Sequence, residues 1–196
     1  MNIPNGVKTE TIENLEFEAG LILKEKFNAS TDTDGAKIKA KVLCATTGGI
    51  KVNIAQIKQV IKFDGVLDNT AGIERVVGWT GSVQFSTKEV DKEKVLLALG
   101  YAEARSVTPN VVNLKQGVIP VSEYKNFYVL GKMGDNTWRQ IEISKAMNVN
   151  GLQETRNDKG ETEISFDLQA HYGIDTQDTA PISIEYITAP TQQPQV

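Results

Sequence analysis

Residues 78–87, GWTGSVQFST, alternate between two kinds of side chain. One side of an extended backbone carries Trp79, Gly81, Val83 and Phe85. The other side carries Thr80, Ser82, Gln84 and Ser86, which are all polar and uncharged. A period of two is typical of a β-strand with one face packed into a core. This polar side has no His, Cys or carboxylate, so it carries no general acid or base and nothing that would activate its hydroxyls as nucleophiles.

Most of the chain shows the same kind of pattern. Further segments rich in β-branched and aromatic residues are LEFEAGLILK (15–24), AKIKAKVLCA (36–45), IKVNIAQIKQVIKF (50–63), KNFYVLGKM (125–133), TWRQIEISKAM (137–147) and ETEISFDLQAHYG (161–173). Turn-forming stretches separate them, among them TDTDG (31–35), DNTAG (68–72), MGDN (133–136) and NDKG (157–160). The sequence therefore predicts a mainly β fold, an antiparallel sandwich or barrel.

Segments 50–63 and 73–86 predict one long β-hairpin arm, because both are longer than most strands and they flank a turn. Such an arm has exposed edges, which natural proteins block or pair with another subunit. An alternative is a short helix over 54–63, since Lys58 and Lys62 lie four residues apart. The stretch ATTGG (45–49) indicates a bend or bulge; no Gly-Lys-Ser/Thr follows it, as a phosphate loop requires.

One segment, STKEVDKEKVLLALG (86–100), predicts a flanking α-helix over about 87–99. Ser86 and Glu89 have the spacing of a capping box, and Gly100 stands where a helix commonly ends. The end of the chain, TAPTQQPQV (188–196), is rich in Pro and Gln and predicts a disordered tail.

Composition disfavours several functions. The net charge of −4 argues against a protein that grips nucleic acid through phosphates. Cys44 is the only cysteine, so no intrachain disulfide forms, and its apolar neighbours predict a small buried side chain. The start of the chain does not read as a signal peptide and no stretch is apolar enough to span a membrane, so we expect a product of the cytoplasm.

No catalytic or metal-binding set can be assembled from the residues. His171 is the only histidine and predicts a residue at a strand end near the surface. The DTDG stretch (32–35) lacks the later ligands of a calcium loop, so a turn is expected. Trp79 and Trp138 favour packing over a sugar-binding platform. We therefore expect no enzyme activity and no cofactor.

Six segments stand out together, in order along the chain: ENLEFEAGLILK, ATTGGIKVN, DNTAGIERVVGWTGSVQFST, KEVDKEKVLLALG, NTWRQIEISKAMNVNGLQ and DKGETEISFDLQAHYGIDTQDTAPISIEYI, which span about residues 14–187. In this order they resemble the major tail tube protein of long-tailed, siphovirus-like bacteriophages of Gram-positive hosts, or of a prophage or tail-like particle. The resemblance implies one tail-tube domain over 1–187, in which residues 1–35 are a flexible N-terminal contact arm. Residues 188–196 are then the disordered C-terminal end of the chain.

The resemblance also implies function and partners. Subunits form hexameric rings, whose long strands pair into a continuous barrel, and the rings stack into a conduit for DNA ejection. The implied partners are other copies of the chain and the tape measure, distal tail and tail terminator proteins. DNA passes without specific binding, no membrane is involved, and the protein belongs to the virion tail after assembly in the host bacterial cytoplasm.

A conduit for a polyanion favours neutral polar and acidic side chains on its wall, because cations would retain phosphates. Given the resemblance, strands 73–86 and 161–172 are expected to supply such a wall, with 137–147 as a third. The expected lumen-facing residues are Thr80, Ser82, Gln84, Ser86, Gln140, Glu142, Ser144, Glu161, Glu163, Ser165, Asp167 and Gln169. Their apolar neighbours Val83, Phe85, Ile164, Phe166 and Leu168 are expected to face the core.

Two alternatives remain open at this point. A related ring protein, such as a tail terminator or a contractile or secretion-system tube, would share the hexameric plan. A carbohydrate- or protein-binding β-sandwich module of a tail tip or surface structure would instead need an exposed aromatic platform.

Overall fold

The computed structural model describes residues 15–16, 20–67, 70–104, 111–135, 137–156, 158 and 160–188. Its strands are β1 (Leu21–Leu23), β2 (Thr46–Val60), β3 (Glu74–Thr87), β4 (Ala102–Ala104), β5 (Val112–Leu114), β6 (Lys125–Lys132), β7 (Thr137–Asn148), β8 (Gln153–Thr155), β9 (Glu163–Gln169) and β10 (Ile182–Thr188). The helices are α1 (Gly35–Lys41) and α2 (Lys92–Leu99), with a 3-10 turn at Val121–Glu123. The prediction of a mainly β, antiparallel fold is confirmed.

Eight strands form one bent sheet in the order β1-β6-β7-β9-β3-β2, with β10 added to β7 and β8 added to β9. β7 joins two halves of this sheet. Its first part pairs with β6 and β10, whereas Met147 and Asn148 at its end pair with β9. We call β1, β6, β7 and β10 the first half-sheet, and β2, β3, β8 and β9 the second half-sheet.

The two half-sheets enclose the main core. β3 and β9 contribute Val83, Phe85, Ile164, Phe166 and Leu168, as predicted, and β6 and β7 contribute Phe127, Val129, Ile141 and Ile143. The rings of Phe85 and Phe166 stack at 4.8 Å between centroids. Cys44 belongs to this core, which confirms the prediction of a buried cysteine.

A second, smaller core covers the opposite face of the first half-sheet. Its buried members are Leu23, Phe27, Tyr128 and Leu130, and the segment that contains α1 closes over them. Sequence reasoning predicted a strand over 36–45 instead of α1. The helix forms because the Asp34 side chain accepts a hydrogen bond from the Lys37 amide and caps the first turn.

The N-terminal segment is partly integrated into the fold. Ile22 and Leu23 have no exposed surface, and β1 pairs with β6, so residues 20–35 are not a free arm. The remainder of the predicted arm, 1–14 and 17–19, lies outside the described residues, as do residues 189–196 of the predicted tail.

The predicted hairpin arm is present, and the alternative helix over 54–63 is wrong. β2 and β3 pair antiparallel along their whole length. The predicted irregularity at ATTGG is a bulge, where Gly48 and Gly49 adopt positive φ angles of 74° and 87° that favour glycine.

The flanking helix begins later than predicted. Thr87 still pairs in β3, and its hydroxyl donates to the Ala45 carbonyl at 2.7 Å. The N-cap of α2 is therefore Asp91, which accepts from the Lys94 amide, and the Ser86–Glu89 capping box does not form. Gly100 ends the helix as predicted, with φ of 74°.

Candidate assembly and channel surfaces

The predicted wall residues of β3 and β9 lie side by side on one face. The two strands are neighbours, and the register pairs Ser82 with Gln169, Gln84 with Asp167, and Ser86 with Ser165. Because the opposite face of both strands is buried in the main core, these polar side chains form the outward face of the second half-sheet. We call this surface the polar face.

Cross-strand hydrogen bonds hold the polar face together. Gln84 Nε2 donates to Asp167 Oδ2 at 2.9 Å, and the hydroxyls of Ser86 and Ser165 lie 3.0 Å apart. Thr47 Oγ1 donates to Glu163 Oε1 at 3.1 Å. These three pairs of side chains are thus satisfied within the subunit.

Strand β2 extends the polar face, which sequence reasoning did not anticipate. Lys51 pairs directly with Gln84, and Asn53 with Ser82, so both share the face of their partners. The signal was available in the alternation of IKVNIA. Lys51 adds a cation to a surface that was predicted to be neutral or acidic.

The two ends of the predicted wall are less regular. Thr80 is exposed and belongs to the part of β3 beyond the last β9 pair. Glu161 precedes β9 and is exposed, and the hydrogen bond from Lys88 lowers its carboxyl pKa below the usual value.

A buried side chain fixes the edge of the polar face. Asn148 is 6% exposed, and its amide donates to the Ala98 and Gly151 carbonyls at 2.6 and 2.7 Å. Its Oδ1 accepts from the Asp167 amide at 2.7 Å. Asn148 thereby links three elements, which are the end of α2, the turn that follows β7, and strand β9. Asp167 Oδ1 is buried with no hydrogen-bond partner among the described residues.

The third predicted wall, on β7, needs correction. Gln140 is 1% exposed, and its Oε1 accepts from the Phe27 amide at 2.8 Å, so it does not face an open surface. The segment around Phe27 folds over this side of the first half-sheet and covers Gln140.

Glu142 and Ser144 are partly exposed on that same side of β7, and the Ser144 hydroxyl donates to Glu142 Oε1 at 3.3 Å. The outward faces of the two half-sheets lie on opposite sides of the main core. Gln140, Glu142 and Ser144 therefore do not continue the polar face of β3 and β9 within one subunit.

The distal half of the arm extends beyond the rest of the sheet. β3 pairs with β9 only over residues 82–87, so residues 74–80 pair with β2 alone. No described strand pairs with the outer edge of β2. Large apolar side chains are exposed along this ribbon and at its tip: Ile57, Ile61, Phe63, Val66, Leu67, Val76 and Val77.

The residues considered above as catalytic or metal-binding candidates have structural surroundings of their own. His171 Nδ1 lies 3.1 Å from the Lys145 carbonyl, and Asp32 forms an ion pair with Lys41 at 2.6 Å. Burial raises the pKa of the Cys44 thiol to about 11. Among the described residues, no group of three or more His, Cys, Asp or Glu side chains is placed to hold a metal ion.

The two tryptophans are partly buried and do not form a joint platform. The ring of Trp138 lies 5.4 Å from the ring of Phe27 and packs on the smaller core. Trp79 lies at the root of the arm on β3. No helix in the described part of the chain is long and apolar enough to cross a membrane.

No family model and no curated protein matches this chain. Among solved structures, a chain described as "Virion of native gene transfer agent (GTA) particle" is similar, with a TM-score of 0.43 and 9% sequence identity. The match covers 85% of this chain and 95% of that chain. A likeness this distant carries no argument about function.

Proposed function

We propose that this protein is a structural component of a phage-like virion, and more specifically that it forms hexameric rings that stack into a tail tube. The observation that carries the proposal is the apolar arm. The proposed role is not enzymatic and requires no cofactor.

An isolated two-stranded ribbon is at best marginally stable in water. In the single subunit the arm is such a ribbon: the side chains of Leu67 and Phe63 are 83% and 59% exposed, and the outer edge of β2 is unpaired among the described strands. Exposed apolar surface and free strand edges promote association. A second copy of the chain that covers the arm would bury its apolar side chains and pair the free strand edge. When the same head-to-tail contact repeats from copy to copy and closes on itself, it gives a ring.

The polar face supports the proposed channel. The Gln84 amide bonds to the Asp167 carboxylate and the Ser86 hydroxyl bonds to Ser165, so these donors are occupied within the subunit and are not offered to a passing phosphate. Glu163 and Asp167 repel a polyanion, whereas Lys51 attracts it. We propose that the polar face lines the channel and that DNA slides along it without specific binding.

The resemblance noted from the sequence supplies the rest of the proposal. The partners are further copies of the chain and the tape measure, distal tail and tail terminator proteins. The location is the virion tail, after assembly in the host bacterial cytoplasm.

Negative-stain microscopy and light scattering at rising protein concentration test the assembly. We expect rings with a central hole, and then stacks of rings. Leu67→Asp should prevent assembly, because it places a charge on the apolar tip of the arm. Val118→Asp is the matched control, since Val118 is 91% exposed and lies outside the arm. A wild-type protein that stays monomeric at every concentration contradicts the proposal.

Labelling of assembled tubes tests the channel. Cysteines are introduced separately at Gln84, on the polar face, and at Lys39, exposed on α1, and tubes are treated with a maleimide attached to a large polymer. We expect slow labelling at position 84 and rapid labelling at position 39. Equal rates at the two positions would place the polar face outside the channel.

A further inference from the structure

The arm leaves the body of the subunit where β9 ends. The Ala170 amide donates to the Gly81 carbonyl at 2.9 Å and adds one last bond to the β3–β9 ladder. The next residue turns away, since the His171 amide donates to the Ser144 carbonyl at 3.2 Å. Beyond Gly81, no described strand covers this edge of β3.

The side chain of Tyr172 contacts this uncovered edge of β3. Its hydroxyl accepts a hydrogen bond from the Trp79 amide at 2.6 Å, in the place where a strand would supply a carbonyl. Gly78 leaves room for the contact, because a Cβ atom there would lie 3.0 Å from the Tyr172 hydroxyl oxygen.

The residues on either side of Tyr172 are fixed by contacts with the rest of the subunit. His171 Nδ1 lies 3.1 Å from the Lys145 carbonyl, and its ring meets the ring of Tyr124 edge-on at 5.0 Å. Gly173 is buried, and a Cβ atom there would collide with Thr176 Oγ1. The Tyr172 hydroxyl is therefore presented from a packed part of the subunit.

A bend lies directly beyond this contact. The β2–β3 register shifts between Ile57 and Lys58, whose partners are Gly78 and Val76, so Val77 is the extra residue. A bulge of this kind bends the strand and increases its twist. The arm thus has a fixed point at Trp79 and a bend two residues further along.

We propose that Tyr172 is a positioning residue that sets the direction in which the arm leaves the body. Its importance for assembly rests on the proposed function, in which the arm contacts another copy. The direction of the arm itself is a property of the single subunit, and it is measured there.

The test compares Tyr172→Phe with Tyr186→Phe in dilute, monomeric protein. Tyr186 is an exposed tyrosine whose hydroxyl has no partner among the described residues, so it is the matched control. Spin labels on cysteines introduced at Leu67 and Lys39 report the distance from the arm tip to the body. The buried Cys44 should not compete for the label, because its thiol pKa is raised to about 11.

For Tyr172→Phe we expect a broader distance distribution and about tenfold faster hydrogen exchange at the Trp79 amide, as for the loss of one hydrogen bond. For Tyr186→Phe we expect the wild-type distribution and rate. Gly78→Ala should reproduce the effect of Tyr172→Phe, since the added methyl group displaces the hydroxyl. Combining the two changes should add little, because both remove one contact.

A wild-type distance distribution in Tyr172→Phe would overturn the inference, whether or not rings form. A strictly additive effect of the two substitutions would also overturn it. A loosened arm combined with unchanged ring assembly would instead contradict the use of the arm in the proposed function, and it would leave the role of Tyr172 intact.

Discussion

Replacing Asn148 with alanine should destabilise the subunit more than any single change on its surface. The substitution removes two hydrogen bonds to the Ala98 and Gly151 carbonyls and one from the Asp167 amide. A hydrogen bond contributes about 1 kcal/mol net, and a buried group left without a partner costs about 1–3 kcal/mol. We therefore expect a loss of about 3 kcal/mol.

The loss converts to a shift of the melting temperature. For a chain of 196 residues, 1 kcal/mol corresponds to about 2–4 °C, so we expect the melting temperature to fall by about 6–12 °C. Calorimetry and urea unfolding of dilute protein measure it without the contribution of association. Asn150→Ala is the control, because Asn150 is exposed and makes only a 3.4 Å contact with Asp167. A loss below about 1 kcal/mol for Asn148→Ala would refute the reasoning.

Two substitutions and one labelling experiment test other parts of the fold. Gly81→Ala should cost about 1–3 kcal/mol in urea unfolding, because the new Cβ collides with the Ile182 side chain; wild-type stability would show that Ile182 can move aside. Cys44 should resist thiol reagents at pH 8 until the protein is unfolded, since burial raises its pKa to about 11; rapid reaction of the folded protein would contradict its burial. Burial opposes ionisation of Asp32, but hydrogen bonds, above all from Lys41, outweigh it and lower the pKa. The ionised carboxylate therefore stabilises the fold above about pH 4, and this contribution is lost as the pH falls through the lowered pKa. In Asp32→Asn the free energy of unfolding should consequently decrease less steeply with falling pH in the acid range.

The residues that could be predicted from the sequence are those whose neighbours are local or one strand away. The alternation of GWTGSVQFST fixes which side of β3 is buried, and the same pattern in β9 predicts the polar side chains that meet it. Gly48 and Gly49 predict the bulge, and Gly100 predicts the end of α2. In each case the conformation follows from the residue itself or from strict alternation.

The errors arise from contacts between distant parts of the chain. Gln140 reads as a surface residue, but the Phe27 amide, 113 positions away in sequence, binds its side chain beneath a second layer. The segment 36–45 alternates like a strand, yet Asp34 caps a helix there. The start of α2 was predicted too early because the ladder with β2 extends to Thr87. Tyr172 gave no signal, since its role depends on where β9 stops.

The burial of β7 on both sides at Gln140 and Ile141 leads to an expectation for large-scale mutagenesis. Ile141 and Ile143 face the main core, while Gln140 is enclosed on the other side. In a survey of all single substitutions scored only for folding, the consecutive positions Gln140 and Ile141 of β7 should both be intolerant. Strand β3 should instead alternate between sensitive positions such as Val83 and permissive ones such as Gln84. The same library scored for particle formation would then separate two kinds of constraint along β3. Positions that are permissive for folding but sensitive for assembly would map the surface where subunits or cargo touch.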